Sequence, residues 1–251
     1  MSGVHFYRAD PSGNITLLIE DRFPVSGYPG IASSLLKLDP TAEQAGFIEE
    51  ISQDSVRLHM AGGEFCGNAS LSAAALALLK HEKAEGTVLV HVFGLSEPLY
   101  ASLRKTGPAS YRGSLTMPLP TACEKVALPF CGETMVLPLV IFPGIGHLIL
   151  REAIEDEKAE AAVRKWCRML GLPALGIIQL DKEEKALRPL VYVRAVDTFF
   201  WEHSCASGTC AAVYWLSREK GPVVRHFTEP GGILGASFEN GTLTLLGNVS
   251  F

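Results

Sequence analysis

The stretch GGEFCGNASLSAAALALL, residues 62–79, places a cysteine directly before a long apolar run. Cys66 is followed by Gly67 and Asn68, and then by a segment made largely of alanine and leucine. Alanine and leucine are strong helix formers, so the run predicts a helix over about residues 67–82. A thiol at that position would lie beside the backbone N–H groups that the first helical turn leaves unpaired.

A second cysteine stands in the same setting in the other half of the chain, within HSCASGTCAAVYWL, residues 203–216. Cys205 precedes a run that predicts a helix over about residues 206–219, which Gly221 and Pro222 would end. Strand-like segments surround both helices, for example AGFIEEIS and SVRLHMAG in the first half and MVLPLVIFPG and LRPLVYVRAVD in the second. Each half therefore combines one cysteine-led helix with several strands.

The length of 251 residues allows one large domain or two of about 120 residues. The similar order of elements in the two halves favours an α+β protein with two similar lobes, and the proline-rich stretch TMPLPTACEKVALPF, residues 116–130, suits a junction. We predict an N-terminal lobe over residues 1–117 with Cys66 and a C-terminal lobe over residues 118–251 with Cys205. The last few residues could return to the N-terminal lobe.

The composition argues against several classes of protein. A net charge of −5 without a run of basic residues does not suit a nucleic-acid partner. The apolar runs fall well short of the ~20 residues that a membrane-spanning helix needs, and the N-terminus lacks the pattern of a signal peptide. We therefore predict a cytoplasmic protein with a small-molecule substrate, no nucleic-acid or membrane partner, and six free thiols.

Thiols at helix starts suit a proton-transfer reaction. The first turn of a helix offers N–H groups and a partial positive charge, which bind a carboxylate and lower the pKa of a thiol. Gly67 and Gly208 would let the backbone approach such an anion closely. If Cys66 and Cys205 meet at one substrate, one can remove the proton beside the carboxylate while the other returns a proton on the opposite face. The stereocentre is then inverted, and we predict neither a cofactor nor a metal.

Other interpretations of these cysteines stay open at this level. A cysteine before a helix is also ordinary apolar packing. Cys205 and Cys210 could in principle bind zinc, but the sequence offers neither a second close cysteine pair nor a spaced histidine pair beside them. A redox pair lacks the support of a C-x-x-C motif.

The two cysteine motifs resemble those of the diaminopimelate epimerase family. FCGNAS around Cys66 is similar to the first motif, usually Cys-Gly-Asn-Gly, and SCASGTCAAV is similar to the second, usually Ala-Cys-Gly-Thr-Gly-Ala-Cys-Ala-Ala. The segments SGNITLLIED, PGIGHLIL and EPGGILGASF resemble further parts of the family in the same order. The resemblance implies two pseudo-symmetric lobes, each a curved, mainly antiparallel sheet wrapped around a central helix. It also implies cofactor-independent epimerisation by two bases, a site between the lobes, and a homodimer.

The resemblance assigns roles to individual residues. It makes Cys66 and Cys205 the catalytic pair and Cys210 a packing residue. Asp197 falls near the acidic residue that would hold the α-amino group, and His147 matches a family histidine in position. The residues that we predict to bind the substrate are Asn14, Glu49, Gly67, Asn68, Asp197, Ser207, Gly208 and Thr209.

The chain departs from the epimerases where they hold the distal amino-acid group of diaminopimelate. The asparagines and the arginine that do so fall at Met60, Ile145, Ala174 and at or near Thr198. A charged distal group would stay unpaired there, which is costly. An ordinary amino acid is therefore favoured, as in the histidine racemases that form a side branch of the family. Glu49 or Glu50 would bind an imidazole or an ammonium group, or would be a solvated charge at a strand end.

The sequence thus predicts an amino-acid racemase that is independent of pyridoxal phosphate, with histidine as the leading substrate. One alternative is a diaminopimelate epimerase with substitute contacts. Another is an isomerase of the phenazine-biosynthesis type, which shares the lobed fold but not the two catalytic cysteines. The last is a non-catalytic amino-acid-binding or redox protein on the same scaffold.

Overall fold

The computed structural model describes residues 3–251 and shows an α+β protein. The chain divides into two compact units, one made of Met1–Thr116 with Leu245–Phe251 and the other of Met117–Thr244. Of the helices in the described residues, none combines the length and the apolar character that crossing a membrane requires.

The first unit alternates strands with two helices. In chain order its elements are β1 (Phe6–Ala9), β2 (Thr16–Ile19), α1 (Tyr28–Leu38), β3 (Gln44–Ile51), β4 (Ser55–Met60), α2 (Gly67–Lys80), β5 (Glu85–Val92), β6 (Leu99–Gly107) and β7 (Ser110–Thr116). The seven strands are neighbours in this order in one sheet. The pairs β2/β3 and β4/β5 are parallel and the others antiparallel. Parallel neighbours need a crossover connection, and α1 and α2 provide the two crossovers.

The second unit contains a six-stranded sheet and a strand hairpin. Its elements are β8 (Ala122–Phe130), β9 (Glu133–Phe142), β10 (Ile145–Leu150), α3 (Asp156–Met169), β11 (Ala174–Leu180), β12 (Leu187–Val193), β13 (Thr198–Trp201), α4 (Ala206–Lys220), β14 (Val223–Glu229) and β15 (Gly232–Glu239); the last strand, β16, is Thr242–Ser250. The sheet order is β13-β12-β11-β10-β9-β8, and α3 connects the parallel pair β10/β11. Strands β14 and β15 form an antiparallel hairpin.

Helices α2 and α4 are the central helices of their units. Residues 67–78 of α2 are all buried, and α2 packs against strands β2 to β7 of its own sheet. Helix α4 is buried along most of its length and packs against β9, β10, β11, β14 and β15. A helix that touches so many strands must be apolar all round, which explains the alanine-rich sequence of α2, and its sheet must curl around it.

Helix α3 follows a different pattern, because only one of its faces is covered. Ala159, Val163, Trp166 and Cys167 are buried against β11 and β12, while acidic residues begin the helix.

The predicted α+β fold, with a sheet curled around one cysteine-led helix in each half, is confirmed. The segments AGFIEEIS and SVRLHMAG, predicted as strands, correspond to β3 and β4, which pair antiparallel.

Candidate active site

Cys66 is the N-cap residue of α2. Its backbone is extended, with φ −132° and ψ 117°, and its Sγ accepts a hydrogen bond from the N–H of Ala69 at 3.4 Å. A serine or threonine oxygen usually has this role at a helix start. The sulfur is therefore held at the positive end of the helix dipole, where negative charge is stabilised.

Cys205 has the corresponding position in α4, with φ −128° and ψ 103°. Its side chain makes no capping bond to the helix backbone. The Sγ instead lies 3.6 Å from the hydroxyl oxygen of Ser207, and the residue is 5% exposed. The two cysteines thus share a backbone conformation but differ in the groups around their sulfur atoms.

The surroundings of Cys205 disfavour its thiolate. Burial raises its pKa well above the ordinary value, and the carboxylates of Glu202 and Glu229 raise the pKa further, while Ser207 lowers it. The expectation that a helix start lowers the pKa of both thiols is therefore wrong for Cys205. Desolvation and two nearby carboxyl groups outweigh the field of the helix.

Glu229, the last residue of β14, is a buried carboxyl group at the start of α4. It is 3% exposed, accepts the N–H of Cys205 at 2.8 Å, and accepts the hydroxyl hydrogen of Thr209. Burial raises its pKa to about 8 despite these two hydrogen bonds, which lower it. The hydroxyl of Thr209 is thus engaged by the protein itself.

Gly208 lies where a side chain would not fit. A Cβ atom there would come within 2.4 Å of Ile178 Cδ1 on β11 and 3.3 Å of Cys205 Sγ. The glycine therefore allows α4 to approach β11 closely beside the cysteine. Ser207, next to it, lies with its hydroxyl oxygen 2.9 Å from Nε2 of the buried His147.

Glu49 belongs to a polar and aromatic cluster in the first unit. The register of β3 against β4 shifts between Ile48 and Glu50, so Glu49 is the extra residue of a β-bulge. Its Oε1 lies 3.3 Å from the hydroxyl of Tyr28 and 3.2 Å from Nδ1 of His59. Glu50, by contrast, is exposed and pairs with Arg57. Of the two candidate carboxylates, Glu49 is the enclosed one.

Two other predicted site residues are tied to protein groups. Asn14 is 4% exposed; its amide nitrogen donates to Glu43 at 2.6 Å and its oxygen accepts from Gln44. Asp197 accepts the hydroxyl hydrogen of Tyr192 at 2.6 Å and pairs with Arg164 and Arg168 of α3.

The hydrogen bond from Tyr192 and the two arginines lower the pKa of Asp197, which is largely exposed. Strand β13 separates Asp197 from Glu202, the carboxylate that acts on the Cys205 thiol.

The analysis of the sequence did not identify Glu202 or Glu229 as residues of the site. Glu202 stands three residues before Cys205 and could have been noticed, whereas Glu229 comes from a separate strand and leaves no local signal.

Comparison with solved structures identifies the class of fold. A protein described as a predicted epimerase from Pseudomonas aeruginosa superposes with a TM-score of 0.68 at 14% sequence identity, over 99% of this chain and 96% of that chain. At this identity the likeness concerns the fold alone, which is that of the epimerases and related isomerases.

Sequence comparison identifies the family. The family profile described as "Histidine racemase CntK N-terminal domain" matches residues 3–246. A histidine racemase from Fusobacterium nucleatum is 32% identical over 97% of this chain and 93% of that relative, and one from Staphylococcus aureus is 27% identical over 91% and 86%. The chain belongs to the histidine racemase family, and its enzyme class is accordingly that of the amino-acid racemases.

Proposed function

We propose that this enzyme interconverts L- and D-histidine without a cofactor, using Cys66 and Cys205 as an acid–base pair. The observation that carries the proposal is the equivalent position of the two cysteines. Each is the N-cap residue of the central helix of its unit, in nearly the same backbone conformation. The histidine racemase relatives support the substrate.

In the proposed reaction, one thiolate removes the α-proton and the other cysteine donates its thiol proton to the opposite face. The electron pair of the broken C–H bond is held by the substrate carboxylate until the new C–H bond forms. The two cysteines end with exchanged protonation states. We assign the resting negative charge to Cys66, because its sulfur accepts an N–H group, whereas burial and two carboxylates favour the thiol of Cys205.

The α-carboxylate would bind at the two helix starts. The first turn of a helix leaves backbone N–H groups without partners inside the helix. The proposal uses those of Gly67 and Asn68 in α2 and those of Ser207 and Gly208 in α4. These donors stabilise the charge that moves onto the carboxylate in the transition state.

The imidazole of the substrate would bind Glu49. Both Tyr28 and His59 approach Oε1 of this carboxylate, and within residues 3–251 its Oε2 has no hydrogen-bond partner. The side chain is 29% exposed, so Oε2 can accept a hydrogen bond from a ligand. Bulges commonly redirect a side chain next to an active site, which fits the position of Glu49.

The location and assembly of the enzyme are further proposals. We infer that it works in the cytoplasm and that it is a homodimer, the assembly that the resemblance to diaminopimelate epimerases implies. Light scattering on the purified protein tests the assembly, and a monomer mass with full activity would contradict it.

Exchange of the α-proton in D₂O tests the function directly. Reduced protein is incubated with a panel of L-amino acids that includes histidine and LL-diaminopimelate, without pyridoxal phosphate, and loss of the α-proton is followed by NMR. Histidine should exchange fastest, and Cys66→Ala and Cys205→Ala should each slow racemisation about 10³-fold. Cys123→Ala, which removes a half-buried thiol from β8, serves as the control. Faster exchange of LL-diaminopimelate, or activity without the two thiols, would contradict the proposal.

A further inference from the structure

A cavity of about 630 Å³ lies where the parallel strands β10 and β11 end, and all of its lining residues belong to the second unit. Arg151 and Glu152 follow β10, and Asp181 and Lys182 follow β11. Ligands often bind outside the carboxyl ends of parallel strands, where the loops leave a crevice. The volume is also in the range of small-molecule sites. Nothing in the proposed racemisation uses this cavity.

The cavity is remote from the site at the start of α4. Arg151, which lines it, pairs with Glu219 in the last turn of α4. The guanidinium of Arg151 also lies over the ring of Trp215, 4.8 Å from its centroid. Helix α4 has 15 residues, so at ~1.5 Å per residue its last turn is roughly 20 Å from Cys205. A molecule bound in the cavity is therefore out of reach of that cysteine.

Gln179 of β11 offers a buried acceptor to the cavity. The residue is 7% exposed, and its Nε2 donates to the carbonyl oxygen of Ile154 at 3.4 Å. Because a carbonyl oxygen can only accept, the amide nitrogen must face Ile154 and the amide oxygen must face away from it. Within the described residues this Oε1 has no hydrogen-bond partner, and it remains accessible. It can therefore accept a hydrogen bond from an N–H group of a ligand.

The charged groups of the lining have both signs. Lys182 and Glu152 have no ion-pair partner in the part of the chain that the structure describes. Arg151 uses only Nη2 in its bonds to Glu184 and Glu219, which leaves the N–H groups of Nε and Nη1 for a ligand. A simple anion would be opposed by Glu152, and a simple cation by Lys182 and Arg151. A molecule that carries both charges is therefore favoured.

We propose that this cavity is a second binding site, which takes a free α-amino acid as a zwitterion. Its α-carboxylate accepts hydrogen bonds from Lys182 and Arg151. Its α-ammonium group donates to Oε1 of Gln179 and to Glu152. The apolar part of the lining contacts the side chain of the ligand and includes Ala153, Leu180, Ala186 and Leu187. The inference does not depend on the proposed racemisation, because the two sites share no residue.

The indole N–H signals in NMR spectra test this binding without depending on catalysis. Of the three tryptophans, Trp215 lies beneath Arg151, whereas Trp166 is fully buried and donates to the carbonyl oxygen of Pro129. Glycine, which has both charges and no side chain, should shift the signal of Trp215, assigned with Trp215→Phe, and leave that of Trp166 in place.

Single-charge probes separate a zwitterion site from an anion site. Acetate and methylamine each lack one of the two charged groups, so each should need a concentration about tenfold higher than glycine for the same shift of Trp215. Inorganic phosphate should behave like acetate. A shift that acetate or phosphate produces as readily as glycine would identify an anion site and overturn the proposal. Absence of a shift with both glycine and L-histidine would also overturn it.

Lys182 and Lys185 stand in the same turn and form a matched pair. Only Lys182 lines the cavity, while Lys185 pairs with Glu183. Lys182→Ala should raise the glycine concentration that gives half of the Trp215 shift about tenfold, the loss of one charge-assisted hydrogen bond. Lys185→Ala should leave it unchanged. Equal effects of the two substitutions would overturn the proposal.

A variant that fills the cavity separates this site from the proposed active site. Ala153 lines the cavity at an exposed loop position, so Ala153→Phe should fold and should abolish the shift of Trp215 by glycine. A shift that persists in Ala153→Phe would come from binding elsewhere and would overturn the proposal. Failure of the racemase function is recognised separately, by the absence of α-proton exchange in the unmutated enzyme, and the Trp215 signal would still decide whether the cavity binds an amino acid.

Discussion

At the scale of single residues, the two cysteines have the same backbone position but different groups around their sulfur atoms. Cys66 and Cys205 both cap a central helix, but only the sulfur of Cys66 accepts a backbone N–H. Cys205 is surrounded instead by Glu202 and Glu229. A two-base racemase needs one thiolate and one thiol at the start of each turnover. In the proposed mechanism, the side chains around each sulfur supply that difference before the substrate binds.

Glu229 links the chemistry of Cys205 to the stability of the fold. Its pKa is raised from 4.5 to about 8, so the folded protein holds this proton more tightly than the unfolded chain. The contribution of this proton to the free energy of unfolding is fully present below the pKa that Glu229 has in the unfolded chain. It is lost as the pH rises through about 8. The glutamine of Glu229→Gln cannot ionise, so this variant should not lose stability in this way as the pH rises. The difference between its Tm and the Tm of the unmutated protein should therefore shift in favour of the variant by several degrees from about pH 5 to about pH 9.

A matched control for that measurement is Glu239→Gln, on the exposed end of β15. Its Tm difference should stay constant over the same range, because an exposed carboxyl group has nearly the same environment in the folded and unfolded chain. A constant difference for Glu229→Gln as well would show that the buried carboxyl group has an ordinary pKa.

Glu49 and its neighbour Glu50 provide a second matched pair. If Glu49 binds the imidazole, Glu49→Gln should raise the KM for histidine about tenfold, the loss of a charge-assisted hydrogen bond. The KM for alanine, which lacks a distal group, should not change. Glu50→Gln removes an exposed charge that pairs with Arg57 and should leave both KM values unaltered. Equal effects of the two substitutions would exclude Glu49 as the imidazole ligand.

At the scale of elements, the helices could be predicted from the sequence and the neighbours of their cysteines could not. The alanine- and leucine-rich run after Cys66 and the run after Cys205 that ends at Gly221 and Pro222 were enough to predict α2 and α4. The groups around Cys205 come from distant parts of the chain: Glu229 is 24 residues from Cys205, and His147 is 60 residues from Ser207. Local patterns carry no information about such contacts, because the curl of the sheet around the helix creates them.

The close packing of α4 on β11 gives a prediction for Gly208. In Gly208→Ala the new Cβ would lie 2.4 Å from Ile178 Cδ1, and overpacking of this kind costs about 1–3 kcal/mol of stability. Ile178→Val removes that methyl group, so the double variant should regain much of the lost Tm. Activity should stay low in the double variant, because the same Cβ lies 3.3 Å from Cys205 Sγ. Recovery of activity together with Tm would mean that Gly208 matters only for packing.

At the scale of the whole molecule, proteins can share this fold with little sequence identity. The Pseudomonas aeruginosa structure shares the fold at 14% identity, while the Fusobacterium nucleatum histidine racemase is 32% identical along almost the whole chain. The resemblance of the cysteine motifs to those of the diaminopimelate epimerases was sufficient to predict this fold. In the proposed function, recognition of the substrate depends instead on side chains such as Glu49, whose bulge in β3 became apparent only in the structure.

The isotope pattern of the product tests whether two separate bases, one from each unit, act on the substrate. With two cysteines, the proton removed from L-histidine stays on one sulfur while the other delivers a proton that has come from solvent. In D₂O the D-histidine formed early should therefore carry deuterium at the α-carbon, while the unreacted L-histidine keeps its proton. A single base serving both faces would return part of the original proton to the product. Early D-histidine that retains the substrate proton would thus contradict a two-base reaction, even if both cysteines prove essential.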